Sequence, residues 1–455
     1  MQLDNLANRI ARQFRRRGFV FYLVGGAVRD RLLGRPVSDI DCATDAKPAQ
    51  TIAILRQMKL ASYKSGEKFG TIGVAGKEGK IEITTFRIEG MYKDSRRPSK
   101  VRFVSDPAVD ASRRDFTVNA MFYDPLTGEI MDFYGGAKDL ALLKINFVGN
   151  ASGRIKEDPL RMLRAARLSC QLGFTVSGEA SRAITKNAAL IRKISGQRIK
   201  EETDKLLQSE NYTDGIRFLD KTGLLKYIFP EVDNLKRVKQ SKDFHSEGNA
   251  FKHTMLCMDN AAGCDLDLKY AVLFHDIGKA DSAKAGRRNG KPHISFRGHG
   301  QSGEKMFSEI AARYPFSRRQ YKKISYLIGH HMDLLRLDLI NSKTLVKWAK
   351  NDDFGDLIRL RMIDTAGSIM ASDKEGLRIR ENKAHATLLK EWSRLNAEKN
   401  RTLVDGEEIK KVLNIKAGPR VGYVLDEIKR MQILGKIKTK QQAKKYLLSL
   451  TRKTK

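Results

Sequence analysis

Apolar and polar positions alternate in short runs over the first 140 residues of the chain. Runs of this kind predict strands, and they occur at Phe19–Val24, Ile40–Thr44, Thr71–Val74, Lys80–Phe86, Asn119–Tyr123 and Ile130–Phe133. Helical spacing of apolar residues appears between them, at Ala27–Leu33 and Pro48–Met58. The glycines of Gly76–Gly79 are typical of a hairpin turn. We therefore predict a small α/β unit built on one mixed sheet.

The pattern changes to helical spacing after about Lys138, and strand signals nearly vanish. Asp158 has a position typical of an N-cap, Pro159 follows at the first helical position, and Gly173 ends the periodicity. These signals predict a helix over 158–172. Residues 283–291 are rich in Gly, Arg and Lys and predict a mobile loop. The expected fold class is α+β, a sheet-containing head followed by helices.

Basic residues exceed acidic ones along the whole chain, since 86 Lys and Arg against 53 Asp and Glu give a formal charge of +33. This excess favours a polyanionic partner, with nucleic acid as the leading candidate and a merely soluble basic protein as the alternative. The four cysteines form no C-x-x-C pair, which argues against a zinc ribbon or a disulfide framework and fits a reducing cytoplasm. No apolar run reaches the roughly 20 residues of a membrane-spanning helix, so we expect no membrane partner.

A glycine turn carries the first candidate chemistry. An apolar strand runs into Gly25 and Gly26, and Arg29 follows on a helical segment. Glycines let backbone amides approach a phosphate, and an adjacent helix start favours negative charge. We expect these three residues to contact a triphosphate.

Paired aspartates follow at the distance that nucleotidyl transfer needs. Asp39 and Asp41 are two positions apart on a strand, so both face one side and suit Mg²⁺ held against a triphosphate. Glu82, on a neighbouring strand, offers a third carboxylate; an ordinary exposed strand acid is the alternative. The pattern indicates two-metal nucleotidyl transfer.

Two blocks rich in arginine come later in the chain. The first contains Arg113, Arg114, Asp115 and Asn119 beside an apolar strand, and it can bind ribose hydroxyls and phosphates or form a solvated helix start. The second contains Asp158, Arg161 and Arg164 on one predicted helix face. Its acceptors and donors together can imitate the edge of a complementary base, or form an N-cap with surface salt bridges.

In their order and spacing these blocks resemble the class II CCA-adding enzymes, tRNA nucleotidyltransferases of the bacterial poly(A) polymerase family. The matching segments are Leu23–Asp30 with Asp39–Asp41, Arg113–Ala120 and Glu157–Ala165. The resemblance implies a DNA polymerase β-like head over residues 1–140 and a helical, nucleotide-selecting neck over 141–206. It also implies a helical body over 207–380 and a basic helical tail that binds tRNA over 381–455. Val404–Ile409 and Ala417–Gly422 resemble the tail of members with an HD-type body.

The resemblance also implies an activity, the template-independent addition of C and A nucleotides from CTP and ATP to the 3′ end of tRNA. In the family, the residues that match Asp39 and Asp41 bind Mg²⁺, and those that match Asp158 and Arg161 read the Watson–Crick edges of the incoming base. The flexible loop that helps the switch from C to A addition corresponds to Ile88–Arg102. The implied partners are the 3′ end and acceptor arm of tRNA, and we expect a cytoplasmic monomer or homodimer.

Histidines and aspartates in the middle of the chain resemble the metal signature of HD-family phosphohydrolases. They are His253, His275, Asp276, His299, His330 (or His331) and Asp364. Imidazole and carboxylate ligands on helices can bind one or two transition metals, here Ni, Mn, Co or Fe. The resemblance implies phosphodiesterase or phosphatase action on 2′,3′-cyclic or nucleotide phosphates. A degenerate body that only supports tRNA binding is the alternative.

Other functions fit the same motifs. A poly(A) polymerase, an A-adding enzyme or a CC-adding enzyme has the same head, although the HD-type body and the tail motif favour CCA addition. A metal-dependent HD phosphohydrolase with a nucleotide-binding head and a non-catalytic RNA-binding protein are rivals of other classes. The intact pair of Asp39 and Asp41 and the Arg113–Asn119 block argue against the first, and two complete metal-binding sets argue against the second.

Overall fold

The computed structural model describes residues 2–37, 39–66, 69–76, 79–90, 101–240, 248–288, 291–334, 351–368, 375–400, 403–433 and 436–451. The chain forms two compact units, residues 1–230 and 231–455. Within the described ranges, no helix combines the length and the apolar character that crossing a bilayer requires.

A seven-stranded sheet organises the first 140 residues. The elements here are α1 (Gln2–Arg16), β1 (Phe21–Val24), α2 (Gly26–Leu32), β2 (Asp39–Thr44), α3 (Pro48–Gln57), β3 (Ser62–Gly66), β4 (Thr71–Gly76), β5 (Gly79–Thr85), β6 (Arg87–Glu89), β7 (Val101–Phe103), α4 (Pro107–Ser112), a 3₁₀ turn (Thr117–Asn119), β8 (Phe122–Tyr123) and β9 (Ile130–Met131). The strand order is β3-β4-β5-β2-β1-β8-β9. β2 and β5 are parallel, whereas the other neighbouring pairs are antiparallel. The predicted mixed sheet is therefore confirmed.

Aromatic packing fills one face of this sheet. Phe86 and Phe122 are fully buried with their ring centroids 6.0 Å apart, and Tyr22 lies against both rings. Burial of such side chains is the main favourable contribution to folding, and it fixes the register of β1 and β2. The sheet that carries Asp39 and Asp41 therefore packs on a buried aromatic cluster.

Several local predictions differ from the structure. The strand expected at Asn119–Tyr123 is shorter, because Thr117–Asn119 forms a 3₁₀ turn after the Thr117 amide bonds to the carbonyl of Asn146. The polar edge strand β3 and the ribbon of β6 and β7 lacked an apolar signal and were not predicted. This ribbon joins the two ends of the predicted loop Ile88–Arg102, of which residues 91–100 lie outside the described part of the chain.

Helices complete the first unit. They and two short strands are α5 (Gly136–Ala141), β10 (Lys144–Ile145), α6 (Ala151–Glu157), α7 (Arg161–Leu172), β11 (Thr175–Val176), α8 (Gly178–Asn187), a 3₁₀ segment (Ala188–Lys193), α9 (Gly196–Leu207), α10 (Tyr212–Lys221) and α11 (Leu225–Ile228). Helix α7 begins at Arg161, three residues after the predicted N-cap Asp158, which ends α6 with a non-helical ψ of 98°. A residue before proline disfavours helical geometry, and the Asp158 carboxylate instead accepts the amide of Leu160 at 3.1 Å. Gly173 ends α7 with φ 72°, as predicted.

The second unit is also largely helical. Its elements are α12 (Pro230–Asn234, which begins at the unit boundary), a 3₁₀ turn (Leu235–Arg237), α13 (Ala250–Asp259), α14 (Leu266–Phe274), α15 (Lys279–Ser282), β12 (Lys284–Arg288), β13 (Lys291–Ser295), α16 (His299–Arg313), α17 (Arg318–His330), α18 (Phe354–Gly367), α19 (Glu375–Asn400), α20 (Gly406–Leu413), α21 (Pro419–Ile433) and α22 (Lys440–Thr451). The predicted loop over 283–291 was wrong, because β12 and β13 form an antiparallel hairpin. Backbone hydrogen bonds pair the two strands without apolar side chains, so a hairpin forms although the composition is typical of a loop.

Close backbone approach brings the predicted metal ligands of this unit together. A Cβ atom at Gly278 would lie 2.1 Å from the carbonyl oxygen of His299, so only glycine fits where α15 meets α16. α13 packs against α14 and α18, and α16 packs against α17. The helices that carry the histidines and aspartates therefore converge in one core.

Candidate active site and metal centre

The exposed end of β2 gathers carboxylates on one side of the sheet. Asp39 and Asp41 alternate with buried Ile40 and Cys42, so both acids face the same side. Glu82 on β5 stands directly opposite Asp41 in the parallel register. The structure thus brings the three predicted head ligands to one edge.

Like charges make this edge a site for a cation. Partial burial raises the pKa of Asp41, and the negative charge of Glu82 raises it further. Carboxylate oxygens are the ligands that Mg²⁺ prefers. A divalent cation placed among several carboxylates also offsets the repulsion between their negative charges. The donor set therefore fits a hard divalent ion. Glu82 is also paired with Lys80 at 2.7 Å, so its carboxylate already has a positive partner.

Gly25 brings the glycine turn against these carboxylates. Its φ of 70° is left-handed, which glycine adopts without strain. A Cβ atom at this position would lie 3.6 Å from Asp41 Oδ2 and 3.7 Å from Arg114 Nη1. The predicted turn, the candidate metal ligand Asp41 and an arginine of the first arginine block are therefore neighbours.

A chain of hydrogen bonds joins the glycine turn and the two arginine blocks of the first unit to one another. Arg29 on α2 donates to Asp30 at 2.8 and 2.9 Å and to the Asn119 side chain at 2.6 Å. Asp115 accepts the amide of Phe116 at 2.9 Å and the Nε of Arg164 at 2.9 Å. The turn after β1, the segment before β8 and helix α7 are thus linked through charged side chains.

Asp115 and Arg164 form an ion pair within that chain. Burial opposes ionisation of Asp115, but Arg164 and Arg161 outweigh it and lower the pKa of Asp115 to about 2. The carboxylate of Asp115 in turn raises the pKa of Arg164. Both groups are therefore charged at neutral pH, and Arg164 acts here as an anchor of α7.

Buried Asp110 positions the two arginines of the first block. It accepts from Arg113 Nε at 2.8 Å, from Arg114 Nη2 at 3.1 Å and from the amide of Arg87 at 3.2 Å. Burial opposes its ionisation, yet Arg113 and Arg114 lower the pKa of Asp110 overall. The Arg114 guanidinium also stacks over Phe122, 5.2 Å from the ring centroid.

Asp158 and Arg161 have separate partners at the start of α7. Arg198 donates to Asp158 at 2.7 Å. Arg161 is buried and donates to Glu157 at 2.8 Å, to the Arg154 carbonyl at 3.0 Å and to the Arg113 carbonyl at 3.1 Å. Arg161 therefore also joins α7 to the segment that carries the first arginine block.

The histidines and aspartates of the second unit form a buried cluster in two groups. The first group is His253, Cys257, His275 and Asp364, and the second is Asp276, His299 and His331; within each group the donor atoms lie within 4.8 Å of one another. Asp276 joins the groups, with Oδ2 3.3 Å from His275 Nε2 and Oδ1 3.4 Å from His299 Nε2.

Hydrogen bonds to the backbone orient three of these imidazoles. In each of them the Nδ1 atom lies 2.8 Å from the carbonyl oxygen three residues earlier. His275 is bound in this way to Val272, His299 to Phe296 and His331 to Ile328. A carbonyl only accepts, so each Nδ1 carries the proton and each neutral Nε2 presents a lone pair to the cluster. Burial, together with His299 and His275, lowers the pKa of His331 to about 3, which keeps that ring neutral.

These lone pairs make the cluster complementary to a cation. The Nε2 atoms of His299 and His331 face each other at 3.0 Å, and His275 Nε2 has no hydrogen-bond partner among the described residues. Two facing acceptors repel unless a positive ion lies beside them. The set of imidazoles and carboxylates, with their second nitrogens fixed by backbone carbonyls, fits transition-metal ligation.

The predicted ligand His330 lies outside this cluster. Its ring is exposed and Nδ1 lies 2.7 Å from Asp333, whereas the neighbouring His331 is fully buried beside His299. The alternative His331 therefore has the position that we assigned first to His330. Adjacent residues at a helix end point in different directions, which the sequence alone does not resolve.

Sequence reasoning missed several residues that shape both sites. They are Asp30, Asp110 and Arg198 in the first unit, and Cys257 and Arg361 in the second. Arg361 donates to Asp364 at 2.5 Å, one turn away on α18. The i, i+3 spacing of Arg361 and Asp364 and the i, i+4 spacing of His253 and Cys257 were the available signals.

Comparison with known proteins agrees with this arrangement. Family models match residues 21–146 (Poly A polymerase head domain), 173–236 (Probable RNA and SrmB- binding site of polymerase A) and 245–398 (HD domain). These head and HD domains imply the use of divalent metals. The chain is 42% identical over 219 residues to a CCA-adding enzyme of Geobacillus thermodenitrificans, covering 48% of this chain and 53% of that enzyme.

Two further relatives extend the match. A CCA-adding enzyme of Latilactobacillus sakei is 42% identical over 283 residues, covering 61% of this chain and 70% of the relative. The crystal structure of Bacillus stearothermophilus CCA-adding enzyme in complex with CTP aligns with a TM-score of 0.61 and 25% identity, over 98% of this chain and 97% of that one. These two sequence matches thus cover 48% and 61% of this chain, the first of them spans about half the length of its relative, and the structural match covers 98% of this chain.

The ion pair of Asp115 and Arg164 predicts a pH-dependent stability of the first unit. The pKa of Asp115 is lowered on folding, so its contribution is full above the unfolded pKa of about 4 and is lost as the pH falls towards 2. We expect Asp115→Asn to destabilise the chain by about 2 kcal/mol near neutral pH, discounted for the partial exposure of Arg164, and by much less near pH 2. Urea unfolding followed by far-ultraviolet circular dichroism measures the effect.

Hydrogen–deuterium exchange of the full chain shows which segments the Asp115→Asn substitution destabilises. Peptides over 113–120 and 161–172 should exchange faster in Asp115→Asn than in wild type near neutral pH. Asp214→Asn is the control, because the Asp214 side chain is 76% exposed. Equal destabilisation by Asp115→Asn at both pH values would contradict the assignment.

Proposed function

The chain belongs to the CCA-adding enzyme family, and on that premise we propose that it adds C and A nucleotides to the 3′ end of tRNA from CTP and ATP. The observation that carries this proposal is the meeting of Asp39 and Asp41 with the Gly25 turn and Arg114 at one strand edge. In the proposed reaction the terminal hydroxyl of tRNA attacks the α-phosphate of the nucleotide, and pyrophosphate leaves. A poly(A) polymerase, an A-adding enzyme or a CC-adding enzyme remains the alternative product class.

The side chains of this edge have distinct roles in the proposal. Asp39 and Asp41 hold Mg²⁺, with Glu82 as a candidate third ligand, and the ions supply Lewis-acid chemistry when bound. Gly25, Gly26 and Arg29 bind the triphosphate. The three residues Arg113, Arg114 and Asn119 hold the phosphates and ribose, supported by Asp110 and Asp115.

Base selection is assigned to the start of α7. Asp158 offers carboxylate acceptors and Arg161 offers guanidinium donors three residues apart, and together they are complementary to the edge of a base. Their present partners, Arg198 and the Arg113 carbonyl, hold them at defined positions. Rigid placement of donors and acceptors is what discrimination between bases requires.

The positive charge of the chain supports tRNA as the acceptor. The formal charge of +33 favours a polyanion, and contacts to phosphates hold an RNA without reading its sequence. We propose the division into head (1–140), neck (141–206), body (207–380) and tail (381–455), with the 3′ end and acceptor arm bound along it. Such a substrate is consistent with a cytoplasmic enzyme.

A second activity is proposed for the buried cluster of the second unit. His253, His275, Asp276, His299, His331 and Asp364 are assigned as ligands of one or two transition metals, with Ni, Mn, Co and Fe as candidates. A bound ion would supply Lewis-acid chemistry for hydrolysis of a phosphate ester. Imidazole lone pairs that face one another in a buried site favour a metal-binding centre over a degenerate body that only supports tRNA binding.

Incubation with tRNA transcripts tests the proposed transferase activity. Transcripts that end at the discriminator base or at C should accept CTP, and those that end at CC should accept ATP. Asp41→Ala should reduce every incorporation about a thousand-fold, because loss of metal charge stabilisation costs several kcal/mol, with tRNA affinity unchanged. Glu129→Ala, which alters an exposed acid of the same region, is the control. Long A tracts, or normal incorporation by Asp41→Ala, would contradict the proposal.

Substitution of Arg161 tests base selection. Arg161→Ala removes donors to the base, and we expect discrimination against UTP and GTP to fall by at least about tenfold, as for one hydrogen bond to a charged group. Incorporation of each nucleotide, relative to total incorporation, is the measure. Arg167→Ala is the matched control, because Arg167 lies on the same helix and pairs with Glu202 instead. Equal discrimination in the two variants would remove Arg161 from this role.

Metal content tests the cluster in the second unit. His275→Ala should lose about one ion per chain and the hydrolysis of 2′,3′-cyclic phosphates, while CCA addition persists, since the ring supplies a ligand nitrogen. Inductively coupled plasma mass spectrometry of purified protein gives the stoichiometry. His330→Ala is the control, since that ring lies outside the cluster, and it should bind metal as wild type does. Wild-type protein with far less than one equivalent of metal after loading would refute the proposed centre.

A further inference from the structure

One thiol lies inside the cluster of imidazoles and carboxylates. Cys257 is fully buried on α13, one turn after His253, and its Sγ is 3.4 Å from His253 Nε2. The same atom lies within 4.8 Å of the donor atoms of His275 and Asp364. No residue of the signature that we recognised in the sequence accounts for this sulfur.

We infer that Cys257 is a fourth ligand of the metal held by His253, His275 and Asp364, and that it makes this position selective for thiophilic divalent ions. This inference rests on the proposed metal centre of the second unit. It adds that the two ends of the cluster differ, because the group of Asp276, His299 and His331 offers nitrogen and oxygen only. Thiolate ligands select Zn²⁺, Fe²⁺ and Co²⁺ over Mg²⁺ and Mn²⁺.

The donor separations that the structure gives lie on either side of those of a tetrahedral site. Zinc bonds of about 2.0 Å to nitrogen and about 2.3 Å to sulfur give donor separations of about 3.3–3.6 Å in a tetrahedron. The observed separations are 3.4 Å from His253 Nε2 to Cys257 Sγ, 2.9 Å from His253 Nε2 to Asp364 Oδ1 and 3.9 Å from His275 Nε2 to Asp364 Oδ1. Two nitrogens, one oxygen and one sulfur therefore lie close to the arrangement that a single ion needs.

Gly367 supplies independent evidence that the sulfur position is built into the fold. It lies three residues after Asp364 on α18, and a Cβ atom there would be 2.5 Å from Cys257 Sγ and 2.8 Å from the Cys257 amide nitrogen. Only glycine lets α13 and α18 approach this closely. This close packing of the two helices places Cys257 beside Asp364, the proposed metal ligand on α18.

The unfilled acceptor of His275 points to an ion at the same place. Its Nδ1 is bound to the Val272 carbonyl at 2.8 Å, so Nε2 carries a lone pair, and this buried atom has no hydrogen-bond partner among the described residues. Asp364 Oδ1 lies 3.9 Å away and is itself an acceptor. A cation between these acceptors and Cys257 satisfies all of them.

X-ray absorption spectroscopy of the zinc-loaded full chain tests the inference directly. We expect one sulfur scatterer at about 2.3 Å from zinc, beside nitrogen and oxygen. The triple variant Cys42→Ser, Cys170→Ser and Cys264→Ser leaves Cys257 as the sole cysteine of the chain and should keep that scatterer. Cys257→Ser should lose it and bind zinc at least about 100-fold more weakly, because losing a direct ligand costs no less than losing an outer partner of a ligand.

The possible results distinguish a failure of the Cys257 inference from a failure of the proposed metal centre. Zinc bound at stoichiometric level with only nitrogen and oxygen neighbours overturns the role of Cys257 and leaves the metal centre standing. Failure of wild-type protein to bind zinc or cobalt overturns both. The spectra of wild type and of the triple variant decide the question even if Cys257→Ser does not fold. Cobalt loading adds a second readout, since a thiolate ligand gives a near-ultraviolet charge-transfer band and a hydroxyl ligand does not.

Discussion

The carboxylate of Asp115 is the contact on which the candidate active site of the first unit depends. Asp115 belongs to the segment that precedes β8, and its carboxylate binds Arg164 on α7 and the amide of Phe116. Arg29 reaches the same segment through Asn119. Because buried charges are stable only when paired and hydrogen-bonded, this carboxylate links the glycine turn, the first arginine block and helix α7 in one arrangement.

Crowding of acceptor atoms is the physical feature that the two candidate sites have in common. In the first unit, Asp39, Asp41 and Glu82 face one side of the sheet, and their mutual repulsion contributes to the raised pKa of Asp41. In the second, imidazole lone pairs face one another inside a helical core. The hardness of the donors differs: oxygen at the strand edge suits Mg²⁺, whereas imidazole with a thiol suits transition metals.

The two sites also differ in how the fold supports them. Strand alternation and the parallel register of β2 and β5 are enough to align the carboxylates of the first site. The second site needs five helices to approach closely, and Gly278 and Gly367 permit this by lacking a Cβ atom. A side chain at either position would separate ligands that lie far apart along the sequence.

The sequence by itself determined the mixed sheet, the glycine turn, the paired aspartates and the family, because these features depend on local periodicity and fixed spacing. Periodicity could not give the short strand after Asn119, the start of α7 at Arg161 or the hairpin over 284–295, since hydrogen bonds to distant or pairing backbone override local preference there. Only the tertiary structure distinguished His331 from His330 and brought Cys257 to Asp364. Both depend on the direction of a side chain and the packing of helices, which no spacing along the chain encodes.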